Sequence, residues 1–370
     1  MKSQKINIIL IIIISIFSGL LAGFFGCLLF LISKTINIPF AGNLEKYLPK
    51  REITIKTQEK ITVNRDVLIE ESVNELKKEI VKIVFTKKKS EKVTDNIYLE
   101  KEILGSGFIL TNDGWIISTE AVISNFQKDY SILTEDNKLY PVEKIIKDDF
   151  TGVVFLKISA SDLAVVNLSD KEGITSGQEI LIFDKNANLF ISFLSKLKYC
   201  PLKEKTDLIR SAEKFCEFLL LDKELDDNFY GSALINLSKG FIGIVGKDNQ
   251  IIPSYYFRNL INQVLKNGKI ERPYLGIDYI DLSFVTSVGL GDAGQVAFAN
   301  GKGVLVYQLA KDSPAIKAGL EKDDIILKIN NDAVNHKISF QELMQDYKKG
   351  DILELSVLRL GKEMIIELKL

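Results

Sequence analysis

Nucleophilic catalysis by a side chain needs an attacking group, a base to take its proton and a group that orients the base. Histidine is the usual base because its ordinary pKa lies near neutrality. This 370-residue sequence has one histidine, His336, inside the polar turn Asn335-His336-Lys337. That setting predicts a solvent-exposed turn residue rather than a catalytic base. The three cysteines have no C-x-x-C spacing, so they offer no set of soft zinc ligands. The acidic stretch Asp222–Asp227 lacks the turn glycine of a calcium loop. No metal is expected. Gly289, Gly291 and Gly294 form a literal G-x-G-x-x-G, but Gln295–Lys302 reads as loop where a dinucleotide site needs a helix facing the pyrophosphate. No cofactor is expected either. Lys+Arg total 48 against Asp+Glu 49, a formal net charge of -1, so the basic field of a nucleic-acid binder is missing and no nucleic-acid partner is expected.

The elements that would position any site fall into five segments. An uncharged run from Ile6 to Ser33, after Lys2 and Lys5 and before Lys34, exceeds the roughly 20 residues that cross hydrocarbon. Residues 1–34 are therefore expected to anchor the chain in the cell membrane as a single pass, with the N-terminus cytoplasmic and the body outside. Residues 35–69 read as a polar, Lys-rich stalk. From Glu70 to Phe85 a short amphipathic helix should run into a strand.

Short β-branched runs follow at Ile103–Thr111, Trp115–Ser118, Gly152–Ile158, Glu179–Phe183, Leu189–Leu194, Phe218–Leu221 and Phe241–Val245. Asn112-Asp113-Gly114 is the hairpin turn between the first two. Many short strands with few helices indicate a β-barrel or sandwich over 70–250. Pro253 should open a connecting helix within 251–272, stopped by Gly268. Beyond Pro273 the pattern becomes α+β, with strands at Leu275–Tyr279, Gly303–Leu309, Ile325–Ile329, Leu353–Leu358 and Met364–Leu370, and helices near Pro314–Ala318 and Phe340–Tyr347. Cys200 and Cys216 bracket a polar segment; outside the cytoplasm they are either bridged or two buried thiols.

Three runs carry a resemblance. The stretch from Gly105-Ser106-Gly107 through Asn112-Asp113-Gly114 to Glu120-Ala121 is similar to the first-barrel signature of HtrA-type trypsin-like serine proteases. Asp148 to Ile158 resembles the segment carrying the triad aspartate. Phe218 to Leu237 resembles the nucleophile loop. The resemblance implies a mainly β fold: a chymotrypsin-like double β-barrel, then a PDZ domain over 273–370, preceded by one transmembrane helix. It puts Ala121, Gly152 and Tyr230 at the histidine, aspartate and serine positions. Asn228 stands where the family has an oxyanion-hole glycine. Within the PDZ domain, Tyr274-Leu275-Gly276-Ile277 looks like the carboxylate-binding loop, with Phe340, Leu343 and Met344 beside Ile277 as candidate pocket wall.

On these substitutions the expectation is a catalytically degenerate protein, not an enzyme. It would bind peptides or unfolded-protein C-termini through its PDZ domain as chaperone, adaptor or regulator, as a homo-trimer or in mixed assembly with active relatives. The alternative is an active serine endopeptidase with non-standard residues, for which Ser232 with Glu120 or a lysine as base is one arrangement.

Overall fold

The structure is a computed structural model that describes residues 3–35, 73–169, 173–202, 204–285 and 302–370. The expected stalk over 36–69 and the Gly289–Gly294 glycines lie outside the described residues. Helix α1 (Ser3–Thr35) is one unit by itself, and its Ile11–Ile32 segment is long and apolar enough to cross a membrane. The remaining described residues form a second unit.

That unit begins with a helical turn at 73–76 and a closed barrel of six strands: β1 (Ile80–Phe85), β2 (Ile103–Ile109), β3 (Trp115–Thr119), β4 (Tyr130–Leu133), β5 (Leu139–Lys147) and β6 (Val153–Ile158), in the order β1-β2-β3-β6-β5-β4. Several of its strands are apolar on both faces, and each face has its own core. In β6, Val154, Leu156 and Ile158 fill the barrel interior with Val81, Ile83 and Ile116, while the alternate residues Val153 and Phe155 point to the second barrel. The expected turn joins β2 to β3. Gly114 there has φ +103°, and a Cβ would lie 2.4 Å from the Ile158 carbonyl oxygen, so no other residue fits.

The second barrel comprises β7 (Asn167–Leu168), β8 (Glu179–Phe183), β9 (Leu189–Tyr199), β11 (Phe218–Leu221), β12 (Ala233–Asn236), β13 (Gly240–Val245) and β14 (Ile251–Pro253). Pairing of β12 with β13 closes its ring. Pro253 is thus the last residue of a strand rather than the start of a helix. A 3-10 turn over Ser254–Tyr256 separates it from α2 (Arg258–Asn267), which Gly268 ends in the left-handed conformation at φ +64°.

The last domain is a sheet of β15 (Ile277–Asp281), β16 (Val304–Leu309), β17 (Ile325–Ile329), β18 (Asp332–Ala333), β19 (Ile352–Arg359) and β20 (Lys362–Lys369), covered by α3 (Pro314–Lys317) and α4 (Phe340–Met344). Its edge carries a strand from elsewhere. β10 (Ile209–Ser211), in the connection between β9 and β11 of the second barrel, pairs antiparallel with β15. An ion pair also ties the connection just before this domain to the first barrel: Arg272 Nη2 lies 2.6 Å from Asp148 Oδ2, a carboxylate with no exposed side-chain surface.

Candidate functional site

Ala121, Gly152 and Tyr230 are far apart in sequence, and backbone hydrogen bonds bring their segments to one cleft. The Glu120 N–H donates to the Gly152 carbonyl at 2.8 Å, and the Ser106 N–H donates to the Tyr230 carbonyl at 2.9 Å. Gly231 makes the second approach possible: at φ +76°, a Cβ on it would lie 2.0 Å from the Ser106 carbonyl oxygen. The resulting cleft encloses about 400 Å³ and is lined by Glu120, Ala121, Ile123, Ser124, Phe126, Lys147, Tyr230 and Lys247.

Its charge is arranged differently from a triad. Gly152 brings no carboxylate, but the Glu120 side chain occupies the space beside it, since a Cβ on Gly152 would lie 2.9 Å from Glu120 Oε1. Glu120 is the one carboxylate among the lining residues. Lys147 Nζ holds its Oε2 at 2.7 Å, and that hydrogen bond raises the Lys147 pKa above the ordinary lysine value. Sequence reasoning missed Ser124, Lys147 and Lys247 as lining residues; the only signal was their nearness in sequence to Ala121, to the Asp148 segment and to the end of β13. The hydroxyls in the cleft belong to Ser124, which is exposed, and to Tyr230, which is half-buried.

The loop before Tyr230 is closed on itself. The Asn228 N–H donates to Asp226 Oδ1 at 3.0 Å, and the Tyr230 N–H donates to the Asp227 carbonyl at 3.3 Å. These are the amides that would face a developing oxyanion, so in this conformation both are engaged internally. Ser232 lies outside the cleft: it is 2% exposed and its Oγ donates to the Phe183 carbonyl at 2.5 Å. His336 is exposed, in a turn closed by the Asn335 N–H to the Ile338 carbonyl, and is not among the cleft residues.

In the last domain, Leu275, Ile277, Phe340, Leu343 and Met344 share one buried cluster, and Tyr274 is 47% exposed. Met344 therefore packs in the core. Gly276 has φ +78°, and a Cβ would lie 2.3 Å from the Ser313 Cβ, so the loop needs glycine there. Cys200 and Cys216 are free thiols in this structure. A hydrogen bond between them pulls the Cys200 pKa down and pushes the Cys216 pKa up.

Residues 273–370 match the PDZ domain family. Over 288 residues the chain is 24% identical to the serine endoprotease DegS of Haemophilus influenzae, covering 74% of this chain and 78% of that protein. It is 25% identical over 284 residues to a probable periplasmic serine endoprotease DegP-like of Marinomonas sp., covering 73% of this chain, and 27% identical over 275 residues to the serine protease Do-like HtrB of Bacillus subtilis, covering 70%. The chain spans 57% and 60% of those two proteins' own lengths. Among solved structures, the HtrA-type protease AlgW with tripeptide superposes with a TM-score of 0.58 at 18% identity, over 81% of this chain and 95% of that one.

These relatives overturn the expectation that the chain is not an enzyme, because each bears the name of a serine protease or endoprotease, the Marinomonas protein as a probable one. That expectation equated loss of one residue set with loss of the chemistry. Hydrolysis requires a nucleophile, a proton acceptor and charge stabilisation, which can come from other side-chain types and other positions. The body has the fold of HtrA-type proteases, ends in a PDZ domain over 273–370, and is similar in sequence to HtrA-type serine endoproteases over 70–74% of the chain.

Proposed function

We propose that the chain is an HtrA-type serine endopeptidase with non-standard site residues, held at a membrane by α1, that acts on polypeptides captured through its PDZ domain in the cell envelope. The observation that carries this reading is the cleft between the segments of Ala121, Gly152 and Tyr230, where a carboxylate, two hydroxyls and two ammonium groups line one space of about 400 Å³. Glu120 accepts the proton from a hydroxyl of Ser124 or Tyr230 as that oxygen bonds to the scissile carbonyl carbon, and returns it to the departing amine as the C–N bond breaks. Lys247 supplies positive charge to the carbonyl oxygen as it becomes an oxyanion, and water then hydrolyses the ester to free the enzyme. Lys147, bound to Glu120, orients the base. The turn Asp226–Tyr230 must open for its amides to help. Location outside the cytoplasm is supported by the apolar N-terminal helix and by the periplasmic description of the DegP-like relative.

The test is digestion of unfolded casein by the full chain in detergent micelles, followed by mass spectrometry. Fragments should appear, and Glu120→Gln should slow their appearance by about a hundredfold or more, the contribution of one general base. Casein left intact by the wild-type chain overturns the endopeptidase reading.

A further inference from the structure

The edge of a PDZ sheet beside the carboxylate-binding loop is where an extended peptide adds as an antiparallel strand, its last carboxylate on the loop amides. Here that edge is already paired. Ile209 lies opposite Ile280, Arg210 opposite Tyr279 and Ser211 opposite Asp278. The Ala212 N–H donates to the Ile277 carbonyl at 3.0 Å, and the Ala212 side chain packs against the PDZ core. Glu213 then places Oε1 on the Leu275 and Gly276 amides, at 3.0 and 2.8 Å. From the other side of the groove, Gln341 on α4 donates to the carbonyls of Ser211 at 3.3 Å and Lys214 at 2.6 Å.

We infer that Ile209–Glu213 is the resident ligand of this chain's PDZ groove, its Glu213 side chain standing in for a C-terminal carboxylate, so that an incoming polypeptide end binds only by displacing it. This rests on the peptide-capture part of the proposed function. The internal segment also specifies the ligand class. Ala212 holds the position of a last residue, so a small apolar end fits. Arg210 holds the position two before it; its guanidinium is 3% exposed, 3.7 Å from both Glu217 and Asp281, and over the Phe284 ring. A basic residue is therefore favoured there. Because the segment is tethered, its effective concentration at the groove is on the order of millimolar, and a peptide in solution competes at a disadvantage.

The probe is a fluorescein-labelled peptide of residues 205–212, Lys-Thr-Asp-Leu-Ile-Arg-Ser-Ala with a free carboxylate, titrated into the full chain in detergent micelles and read by polarisation. Glu213→Ala should bind it at least tenfold more tightly than wild type, and the C-terminal amide of the same peptide should gain nothing. Equal affinity for wild type and variant overturns the resident ligand while leaving peptide capture intact. Binding by neither overturns both. Hydrogen exchange on the wild-type chain is the second measurement: amides of 209–213 should be protected alone and lose protection at saturating peptide, while those of 275–281 stay protected. Amides of 209–213 that exchange freely before any peptide is added overturn the inference whatever the variant does.

Discussion

Replacing Asp148 by Ala should leave the half-buried Arg272 guanidinium without its carboxylate, and the cost can be worked from contacts. Arg272 reaches Asp148 with two nitrogens, Nε at 3.1 Å and Nη2 at 2.6 Å. The same carboxylate accepts the Thr151 hydroxyl at 2.6 Å and the Thr151 N–H at 3.3 Å. Removing one partner of a buried pair costs about 3–5 kcal/mol, much of it from the charge left behind. Arg272 is 18% exposed and keeps its bond to the Tyr256 carbonyl, so water and that oxygen offset part of the loss. We expect about 3 kcal/mol for Asp148→Ala. A cycle with Arg272→Ala should give a coupling of about 2 kcal/mol, since the double variant leaves no stranded charge. Urea unfolding followed by the fluorescence of Trp115, the single tryptophan, reads the first barrel directly. A coupling below about 0.5 kcal/mol would refute the claim that this pair holds the connecting segment and the Asp148–Gly152 turn together.

Burial and the neighbouring Glu75 charge push the Glu79 carboxyl up from 4.5 to about 7. A raised carboxyl pKa means the folded state binds its proton more tightly, so the contribution is full below pH 4.5 and is lost as pH rises toward 7. Glu79→Gln should therefore gain about 1 kcal/mol over wild type at pH 8, discounted because the group is only half-buried, and little at pH 4; a pH-independent difference in urea midpoint counts against this. Gly231→Ala should destabilise by about 3 kcal/mol or more, since a methyl group would strike the Ser106 carbonyl; a midpoint within error of wild type would show that the loop relaxes easily. Oxidised glutathione should convert the Cys200 and Cys216 thiols to a disulfide, its own S–S bond breaking to give two molecules of reduced glutathione that take up the two electrons and the two protons. Closing that loop adds up to about 3 kcal/mol of resistance to urea, and an unchanged midpoint after a measured loss of two thiols would contradict it.

The long apolar strands were legible because each alternation feeds a core, Gly114 because its φ of +103° and the Ile158 carbonyl leave no room for a side chain, and Gly268 because glycine adopts the left-handed conformation that ends a helix at least cost. Strands such as Leu139–Lys147 were not legible, since most of their positions are exposed or half-buried and carry no sharp period. Pro253 misled because a proline suits the first turn of a helix as well as the last position of a strand, and here it ends β14, which is paired on both sides by β11 and β13. The cleft was only half legible. The resemblance named Ala121, Gly152 and Tyr230, but Glu120 filling the space beside Gly152, and Lys147 holding it, depend on side-chain directions that spacing does not encode. The groove was the largest omission: Ile209–Ser211 is three residues long, too short to read as a strand, and Glu213 acquires its role only by reaching the Leu275 and Gly276 amides across 62 and 63 residues.

The proposed endopeptidase reaction requires a reactive hydroxyl in the cleft beside Tyr230. Its most direct measurement is treatment of the full chain with a fluorophosphonate, whose phosphorus a reactive hydroxyl attacks with loss of fluoride, followed by peptide mapping of the adduct. One adduct is expected, on Ser124 or Tyr230, abolished when the chain carries Glu120→Gln. No adduct, or an adduct on a residue outside the cleft, would contradict it.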